Sequence, residues 1–485
     1  MRIALVWPDA NTVYQTLPLS LGILRSTIRD QPHDVRMFNL PLEGWRADSP
    51  EFRRALAAYQ PELVGISAWA VSFKSSVRAA RVVREVLPRA TILCGGYYPT
   101  LNPEQAWAAG CFDYLMMGEA EQTFPELVRR LAANDRASLA SLPGIYFRAP
   151  DGRVIRNRNT VPEDLDSVAR VDWEFIELER AFRRGYMSTV LGPKRKVALF
   201  ATRGCEYACN FCAAPLMNGQ RLRHWSVEFV TREIKMLYER YGVRIIYFMD
   251  DNGTQDRAFF KDLCRGIIEL QLPELALDLY RGVRLENLDE EMVRLMARAG
   301  FRHLTIAPES GSERVRALMR KDMSDRDIRR AAKLIRDAGL SVQGYFIVGY
   351  PGETADERRE SYRYIYDLGL DVFSLHKYMA LPGTPAFRKL VTIGKLKRDH
   401  TDESHLIGES LPNYNGDLPA DIDREIFFEY AKFYARRPWN LVHLLRMASA
   451  GGLWRSLSGT AHAAIKAALG RGEPGVATPS LREPM

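Results

Sequence analysis

Short apolar segments alternate with amphipathic helical segments through most of this 485-residue chain, and this alternation constrains the fold more than any other feature. Near-continuous apolar strands separated by helices are typical of a parallel sheet covered on both faces. We therefore predict a doubly wound, Rossmann-like α/β domain over residues 1–138. Its strands are predicted at Arg2–Trp7, Val35–Leu40, Leu63–Ser67, Thr91–Gly96 and Tyr114–Gly118.

The ends of these strands indicate a ligand site, because doubly wound sheets bind ligands at the carboxyl ends of their strands. The segments there read "SAWAVS", "GGYYPT" and "GEAEQT". Glycines directly after a buried strand, such as Gly95, Gly96 and Gly118, either let a ligand approach the backbone or simply turn the chain. No G-x-G-x-x-G is present, so the nicotinamide fingerprint is absent.

Residues 139–194 contain a Pro-Asp-Gly turn between two short apolar segments and then a polar stretch. This pattern predicts a hairpin followed by a linker between two domains.

A second strand–helix series follows over residues 195–390 and contains six units, two fewer than a complete (β/α)8 barrel. We predict a partial (β/α)6 barrel there, then a C-terminal helical region (391–470) and a disordered tail (471–485). The strands of the barrel are predicted at 197–202, 244–251, 275–280, 303–310, 342–349 and 372–379. Its helices are predicted at 227–241, 257–270, 290–299, 313–319, 325–337 and 355–368.

Three of the six cysteines lie within eight residues, in the spacing C-x₃-C-x₂-C: Cys205, Cys209 and Cys212. Zinc sites usually collect four ligands, often as two C-x₂-C pairs, and no second pair is present. Three thiolates can hold three corners of a 4Fe–4S cluster and leave the fourth iron open to a ligand. The triplet follows the first strand of the barrel, at the end where barrel active sites lie.

Composition places the chain among ordinary globular proteins, with 46% apolar and 26% charged residues. Without an apolar run of about 18 residues or a signal peptide, we expect a cytoplasmic protein. The net charge is +8, but the arginines are scattered rather than interleaved with aromatic residues, which argues against nucleic acid. The basic segment 436–457 either packs as a helix on its own protein or makes a weak membrane contact.

The motifs resemble those of one family, the cobalamin-dependent radical S-adenosylmethionine (SAM) enzymes. "CEYACNFC" resembles the cluster motif, and four further segments resemble later motifs of the same barrel: "YFMDDNGT", "IAPESGSERV", "GYFIVGYPGET" and "LPGTPAF". The N-terminal domain resembles a cobalamin-binding domain through "PLSLGIL", "GISAWAVSF", "GGYYPT" and "DYLMMGEAEQTF". "RPWNLVHLL" resembles a C-terminal helical segment of the same subfamily, so the resemblance covers about residues 1–445.

The resemblance implies a 4Fe–4S cluster on Cys205, Cys209 and Cys212, with SAM on the open iron. It also implies that reductive cleavage of SAM yields a 5′-deoxyadenosyl radical, with an external electron donor such as flavodoxin or ferredoxin. The implied SAM contacts are Phe211, Asp250, Asp251, Glu309, Ser310, Gly349 and Glu353. The family often carries Gly-Gly-Glu where this chain has its two aspartates, and each polar residue has helix capping or charge pairing as an alternative role.

For cobalamin, the resemblance implies a site at the sheet edge near Ser67, Trp69, Gly95, Gly96, Thr100, Gly118 and Glu119. None of the eight histidines lies in a D-x-H-x-x-G segment. We therefore predict base-off cobalamin without a histidine ligand and place Trp69 near the lower face of the corrin, with domain-interface packing as the alternative role of this residue.

The activity implied is a methyltransferase that methylates an unactivated centre by the adenosyl radical and methylcobalamin. A cyclase, ring-contraction, other rearrangement or group-transfer enzyme without net methylation is the alternative, and a binding or sensor protein with a degenerate site is a third hypothesis. We expect a small-molecule substrate, such as a secondary metabolite or a lipid. Candidate pocket residues are Tyr345, Tyr350, His376, Lys377, Tyr378 and Tyr414.

Overall fold

The computed structural model describes residues 1–10, 17–149, 151–185, 195–279, 281–397, 414 and 422–440. No helix in these ranges is long and apolar enough to cross a membrane. The basic segment considered for membrane contact lies outside them from residue 441 onward, as does the tail 471–485.

The N-terminal sheet has seven strands in the order β2-β1-β3-β4-β5-β6-β7. The first five are parallel, and β5, β6 and β7 pair antiparallel. The predicted hairpin therefore forms and extends this same sheet through β6. The strands are β1 (Arg2–Trp7), β2 (Asp34–Asn39), β3 (Leu63–Ser67), β4 (Thr91–Gly95), β5 (Tyr114–Met116), β6 (Ile145–Arg148) and β7 (Val154–Arg156).

Helices cover both faces of this sheet because successive strand residues point to opposite sides. In β3, Leu63 belongs to one apolar cluster, and Val64 and Ile66 belong to the other. The predicted doubly wound fold is thereby confirmed. The helices are α1 (Leu19–Thr27), α2 (Leu40–Glu43), α3 (Pro50–Tyr59), α4 (Phe73–Val86), α5 (Tyr97–Leu101), α6 (Pro103–Ala108) and α7 (Thr123–Ala132).

Six parallel strands form the second unit as two three-stranded sheets, β8-β11-β12 and β13-β14-β15, in the order that the predicted (β/α)6 barrel requires. Isolated bridges at 277–301 and 283–306 join β12 to the β13 side. The short strands β9 and β10 pair with each other and were not predicted. The strands are β8 (Arg195–Leu199), β9 (Thr202–Arg203), β10 (Arg223–His224), β11 (Val243–Phe248), β12 (Ala276–Leu279), β13 (His303–Glu309), β14 (Ser341–Val348) and β15 (Val372–Lys377).

Helices pack on the outer face of these strands and share one large apolar cluster with it. Tyr430 stacks on Phe373 of β15 at 4.4 Å between ring centroids, so the last described helix belongs to the same core. The helices are α8 (Leu178–Arg183), α9 (Ala214–Asn218), α10 (Val227–Tyr241), α11 (Arg257–Glu269), α12 (Glu290–Ala299), α13 (Glu313–Leu318), α14 (Asp325–Asp337), α15 (Ala355–Asp367), α16 (Pro385–Thr392) and α17 (Ile422–Arg436).

The inner face of the barrel, which we call the lumen, is polar where ordinary barrels carry branched apolar residues. The outward residues of β12, Leu277 and Leu279, lie in the apolar cluster, whereas Asp278 between them contacts His303 of the next strand at 3.1 Å. Thr305 and Gln343 form a hydrogen bond of 3.2 Å across the following pair of strands. The barrel therefore encloses polar groups rather than a continuous apolar core.

Candidate active site

The cysteine loop begins directly after β9, and the β9–β10 pair closes it at its base. Gly204 precedes Cys205 with a φ of +89°, and an added Cβ would overlap the carbonyl of Arg221. Only glycine suits this backbone and this close approach. The tight base presents the three cysteines at the carboxyl end of the barrel, next to the end of β8.

The three thiols are free, partly accessible and within electrostatic reach of one another. Burial raises the pKa of Cys212 to about 11, and negative charge on Cys209 and Cys205 acts in the same direction. Within the described ranges, no three or more His, Cys, Asp or Glu side chains converge on a single metal ion. A 4Fe–4S cluster suits this arrangement, because each cysteine binds a different iron.

Asn210 anchors the loop between two helices. Its backbone N–H donates to Met319 at 2.9 Å, its side-chain amide donates to Leu318 at 2.8 Å, and its carbonyl accepts from Ala386 at 3.0 Å. Phe211 packs against the apolar cluster beside these helices, with the Lys321 ammonium 5.9 Å from its ring centroid. The loop is therefore held on the barrel without any contribution from a cofactor.

Asp250 is buried and braces the start of the cysteine segment. Its Oδ1 accepts from the Ala201 backbone at 2.9 Å, from the Thr202 hydroxyl at 3.0 Å and from the Thr202 backbone. Burial raises the pKa of Asp250 to about 7. Its neighbour Asp251 accepts from Asn218 at 2.6 Å and from Arg281 at 2.7 Å. Asp250 thus supports the cysteine loop, whereas Asp251 faces the residues that surround this loop.

The other residues implied as SAM contacts also interact with groups of the protein itself. Glu309 ends β13 in the left-handed region, with a φ of +65°, and binds Lys321 at 2.5 Å. The Ser310 hydroxyl lies 3.1 Å from that of Ser361 and accepts from the next turn. Gly349 donates its N–H to Glu353 at 2.6 Å. These contacts shape the loops around the site, and a role in binding SAM stays a prediction.

Sequence reasoning missed two arginines beside the cysteine loop, Arg281, which binds Asp251, and Arg284. Arg284 is only 9% exposed, and within the described structure its Nε and Nη1 have no hydrogen-bond partner. Its guanidinium lies 3.6 Å from the ring centroid of Tyr207, and its positive charge acts on Cys205 and Cys209. Its Nη2 lies 3.3 Å from Glu286, and the unpartnered Nε and Nη1 of this buried guanidinium favour a further anionic ligand. The surrounding "RGVRLEN" gives no local signal of this role.

At the edge of the N-terminal sheet, Thr100 joins two of the predicted glycines. Its hydroxyl donates to the Gly96 carbonyl at 2.7 Å and accepts from the Gly118 N–H at 2.8 Å. Ser67 ends the neighbouring strand β3 and is buried, with its carbonyl accepting from Ser76. The structure therefore brings the predicted cobalamin residues of three strand ends together.

Three aromatic rings lie at the same edge. Trp69 meets Trp7 edge-on at 5.3 Å between centroids and Tyr97 at 5.9 Å. Tyr97 also interacts electrostatically with Arg281, the arginine that binds Asp251 beside the cysteine loop. The sheet edge and the cysteine loop thus meet through Arg281. Small backbone groups next to aromatic faces suit a flat macrocycle such as a corrin.

Glu119, for which cobalamin contact stays a prediction, links the two domains. It binds Arg223 at 2.5 Å and Arg203 at 2.8 Å, and all three side chains are buried. The side chain of Asn159 also covers Gly118, because a Cβ added to this glycine would overlap it. The charge pairing of Glu119 depends on arginines about 85 to 105 residues away in the chain, which no local pattern reveals.

Gly95 offers a clean test of the cobalamin edge. An added Cβ there would meet only Met116, at an ordinary 3.6 Å, whereas at Gly96 it would lie 2.9 Å from the Ala68 carbonyl at a φ of +106°. Replacing Gly95 with valine should reduce cobalamin retained after gel filtration roughly tenfold, a loss of about 1.4 kcal/mol, at an unchanged melting temperature. Gly96→Val, by contrast, should lower the melting temperature because of backbone strain. Full cobalamin retention in Gly95→Val would remove Gly95 from the binding edge.

Comparison with known proteins agrees with this architecture. The family model of the radical SAM superfamily matches residues 199–365, and that of the B12 binding domain matches residues 9–128. Cytidylyl-2-hydroxyethylphosphonate methyltransferase from Streptomyces wedmorensis is 27% identical over 424 residues, covering 78% of this chain and 78% of that protein. Anaerobic magnesium-protoporphyrin IX monomethyl ester cyclase from Rubrivivax gelatinosus is 26% identical over 387 residues, covering 75% of this chain and 67% of that protein.

The fold is similar to that of the radical SAM methyltransferase TsrM from Kitasatospora setae, solved with cobalamin and a [4Fe-4S] cluster bound. The TM-score is 0.67 at 18% sequence identity, over 81% of this chain and 75% of that chain. The resemblance inferred from the motifs is therefore confirmed. This chain belongs to the radical SAM superfamily and, with its B12 binding domain, is a cobalamin-dependent radical SAM enzyme.

Proposed function

We propose that this enzyme is a methyltransferase that methylates an unactivated centre of a small molecule. The observation that carries this proposal is the meeting of the two cofactor edges at Arg281, which contacts Tyr97 on the cobalamin side and Asp251 on the cluster side. A substrate between these edges has a radical source on one side and a methyl donor on the other. The methyltransferase relative from Streptomyces wedmorensis supports the same reaction class.

The cluster and SAM supply a 5′-deoxyadenosyl radical, and cobalamin supplies a methyl group, when these groups are bound. The chain positions them and shields them. Cys205, Cys209 and Cys212 hold the cluster, while Asp250 and Asn210 fix the loop that carries them. An external one-electron donor, such as a flavodoxin or a ferredoxin, completes the system.

Arg284 is assigned to the carboxylate of SAM, because its unpartnered N–H groups lie beside the cysteine loop. Replacing Arg284 with methionine should weaken SAM binding by about tenfold to a hundredfold, as expected for loss of a charge-assisted hydrogen bond. Arg284→Lys should recover only part of the affinity, because lysine keeps the charge but not the planar fork. Equilibrium dialysis with the reconstituted enzyme measures both. Equal affinity in the wild type and Arg284→Met would refute the assignment.

Cobalamin is proposed to bind base-off, with no histidine on its lower face. None of the eight histidines lies in a D-x-H-x-x-G segment, and the sheet edge presents Trp69 and its aromatic neighbours instead. Electron paramagnetic resonance of the cob(II)alamin form should show no nitrogen superhyperfine splitting from the protein or from the nucleotide base. Splitting by an imidazole nitrogen would contradict the proposal.

A census of SAM-derived products tests the reaction class. The protein is purified without oxygen, reconstituted with iron, sulfide and cobalamin, and given SAM, a strong reductant and candidate substrates. Methyl transfer predicts that S-adenosylhomocysteine and 5′-deoxyadenosine rise together when a substrate is present. 5′-Deoxyadenosine alone would favour the cyclase or rearrangement alternative, for which the Rubrivivax gelatinosus relative is the precedent.

A further inference from the structure

The upper lumen of the barrel has an accessible wall formed by β14 and β15. Tyr345, Ile347 and Ser374 on this wall are half-buried and His376 is exposed, whereas every residue of the neighbouring strand β13 is buried. The lumen floor below is closed by the buried side chains of Thr305 and Gln343. Accessible groups above a closed floor define a cavity that opens toward the carboxyl ends of the strands.

His376 is accessible to solvent within this cavity, yet enough protein surrounds its imidazole to desolvate it. Burial lowers the pKa of His376, so its imidazole is neutral at pH 7. Within the described ranges no side chain or backbone group is hydrogen-bonded to this imidazole, and the only ring beside it is Tyr345, which meets it edge-on at 6.0 Å. A neutral imidazole without a protein partner presents both an acceptor and a donor nitrogen to the cavity.

Ser374 gives the same wall a directed hydrogen-bond donor. Thr305 donates to the Gln343 carbonyl oxygen at 3.2 Å, and the Gln343 amide donates to the Ser374 hydroxyl at 3.3 Å. Because the Ser374 oxygen accepts from Gln343, its own O–H is left to donate to a group in the cavity. The chain of bonds therefore ends in a donor beside His376.

Charged groups lie in the lower lumen. Lys196 of β8 is buried there, with its ammonium 5.5 Å from the Tyr247 ring centroid. His303 and Asp278 form an ion pair of 3.1 Å, and although burial acts to lower the pKa of His303, the Asp278 carboxylate raises it. The wall of Tyr345, Ile347, Ser374 and His376 itself carries no charged side chain. Such a wall favours a neutral ligand over an anion, since an anion beside it would lose its water and the wall itself supplies no cation in return.

The other candidate pocket residues lie elsewhere. Lys377 pairs with Asp423 at 2.9 Å outside the lumen, and Tyr350, Tyr378 and Tyr414 are buried in the apolar cluster beside the cysteine loop. Of the six residues considered from the sequence, only Tyr345 and His376 face the cavity. Strand alternation separates His376 from its neighbour Lys377.

We propose that Ser374 and His376 form the substrate subsite of this enzyme and that the substrate is a neutral small molecule bearing a hydroxyl group on an unsaturated ring. The hydroxyl donates to His376 and accepts from Ser374, and the ring lies along Tyr345. This assignment rests on the proposed function, which places the substrate in the upper lumen below the two cofactors. It narrows the substrate class from any small molecule to a neutral hydroxylated ring.

The test uses 2-naphthol as the neutral probe and 2-naphthoate as its anionic counterpart, with the holoenzyme carrying an oxidised cluster and cob(III)alamin. Ring-¹⁵N resonances of labelled histidine report contact at His376, assigned from the loss of its signal in His376→Leu. 2-Naphthol should shift the His376 resonance in a saturable way and bind roughly tenfold more tightly than 2-naphthoate, a difference of about 1.4 kcal/mol. Isothermal titration calorimetry gives the two affinities.

His376→Leu should weaken 2-naphthol binding about tenfold, and Ser374→Ala, which leaves the size of the wall nearly unchanged, should weaken it severalfold. His33→Gln, a histidine replacement in the N-terminal domain, should leave it unchanged. Tighter binding of 2-naphthoate, no 2-naphthol binding, or equal 2-naphthol affinity in wild type and both wall variants would overturn the assignment. Because binding is measured without reductant, this outcome is separate from a failure of the product census.

Discussion

Replacing Cys209 with alanine is expected to abolish reductive cleavage of SAM while cobalamin remains bound. Cys209 is one of the three proposed cluster ligands, and the predicted cobalamin edge belongs to a different sheet. A cluster that loses one of its three protein ligands does not persist in a form that binds SAM. Mass spectrometry of 5′-deoxyadenosine, iron analysis and the cobalamin absorption spectrum measure the three quantities.

Cys111→Ala is the matched control for this experiment. Cys111 is a partly buried free cysteine of the N-terminal domain and packs against the buried apolar side chains around Phe112. Its replacement should leave iron content and 5′-deoxyadenosine formation at the wild-type level. If Cys209→Ala still cleaved SAM reductively, the assignment of the cluster ligands would be wrong.

The second large effect is expected at Asp250, where alanine and asparagine should behave differently. Asp250→Ala removes the acceptor of the Ala201 and Thr202 groups, and leaving buried donors unsatisfied should cost about 2–5 kcal/mol of unfolding free energy. Asp250→Asn keeps the Oδ1 acceptor and removes the buried charge. It should therefore be at least as stable as the wild type at pH 8 and should retain the cysteine loop.

The pH dependence of Asp250 follows from its pKa of about 7, which burial raises from 3.8. Between these values the folded chain binds a proton that the unfolded chain has released, so the unfolding free energy rises as the pH falls through 7. From pH 8 to pH 6 the wild type should gain about 1.4 kcal/mol relative to Asp250→Asn. Above pH 8 the difference should be constant.

Urea unfolding followed by tryptophan fluorescence measures these differences for the wild type and both variants. A wild type that gained nothing relative to Asp250→Asn would show that Asp250 is already ionised at pH 6. If Asp250→Asn were as unstable as Asp250→Ala, the hydrogen bonds to Ala201 and Thr202 would not be what Asp250 contributes.

The fold was predictable from sequence because its main signal is local. Apolar periodicity placed the first strand at Arg2–Trp7 and one barrel helix at Val227–Tyr241, and the structure has the same bounds. The cysteine spacing was equally local. The short β9–β10 pair was missed because its strands have two residues each and depend on partners across the cysteine loop.

The surroundings of the cysteines were less predictable because they depend on distant partners. Asp250 was predicted as a cofactor contact, which stays a prediction, but the use of its Oδ1 by Thr202, 48 residues earlier in the chain, could not be predicted. Glu119 likewise meets Arg223 across 104 residues. Arg284 was missed because its importance comes from its burial and its missing partners, neither of which has a sequence pattern. The sequence indicates the polar lumen only weakly, by an alternation of apolar and polar residues such as "LALDL" around Asp278.

We propose that this enzyme moves a methyl group from SAM, and one measurement tests this activity without a known substrate. The reconstituted enzyme, with cluster and cobalamin both at full occupancy, is reduced under anaerobic conditions and mixed with SAM alone. S-adenosylhomocysteine is then quantified by mass spectrometry against bound cobalamin. Methyl transfer from SAM predicts a rapid burst of S-adenosylhomocysteine equal in amount to the bound cobalamin. No S-adenosylhomocysteine from the fully loaded and reduced enzyme would contradict methyl transfer and favour the rearrangement alternative.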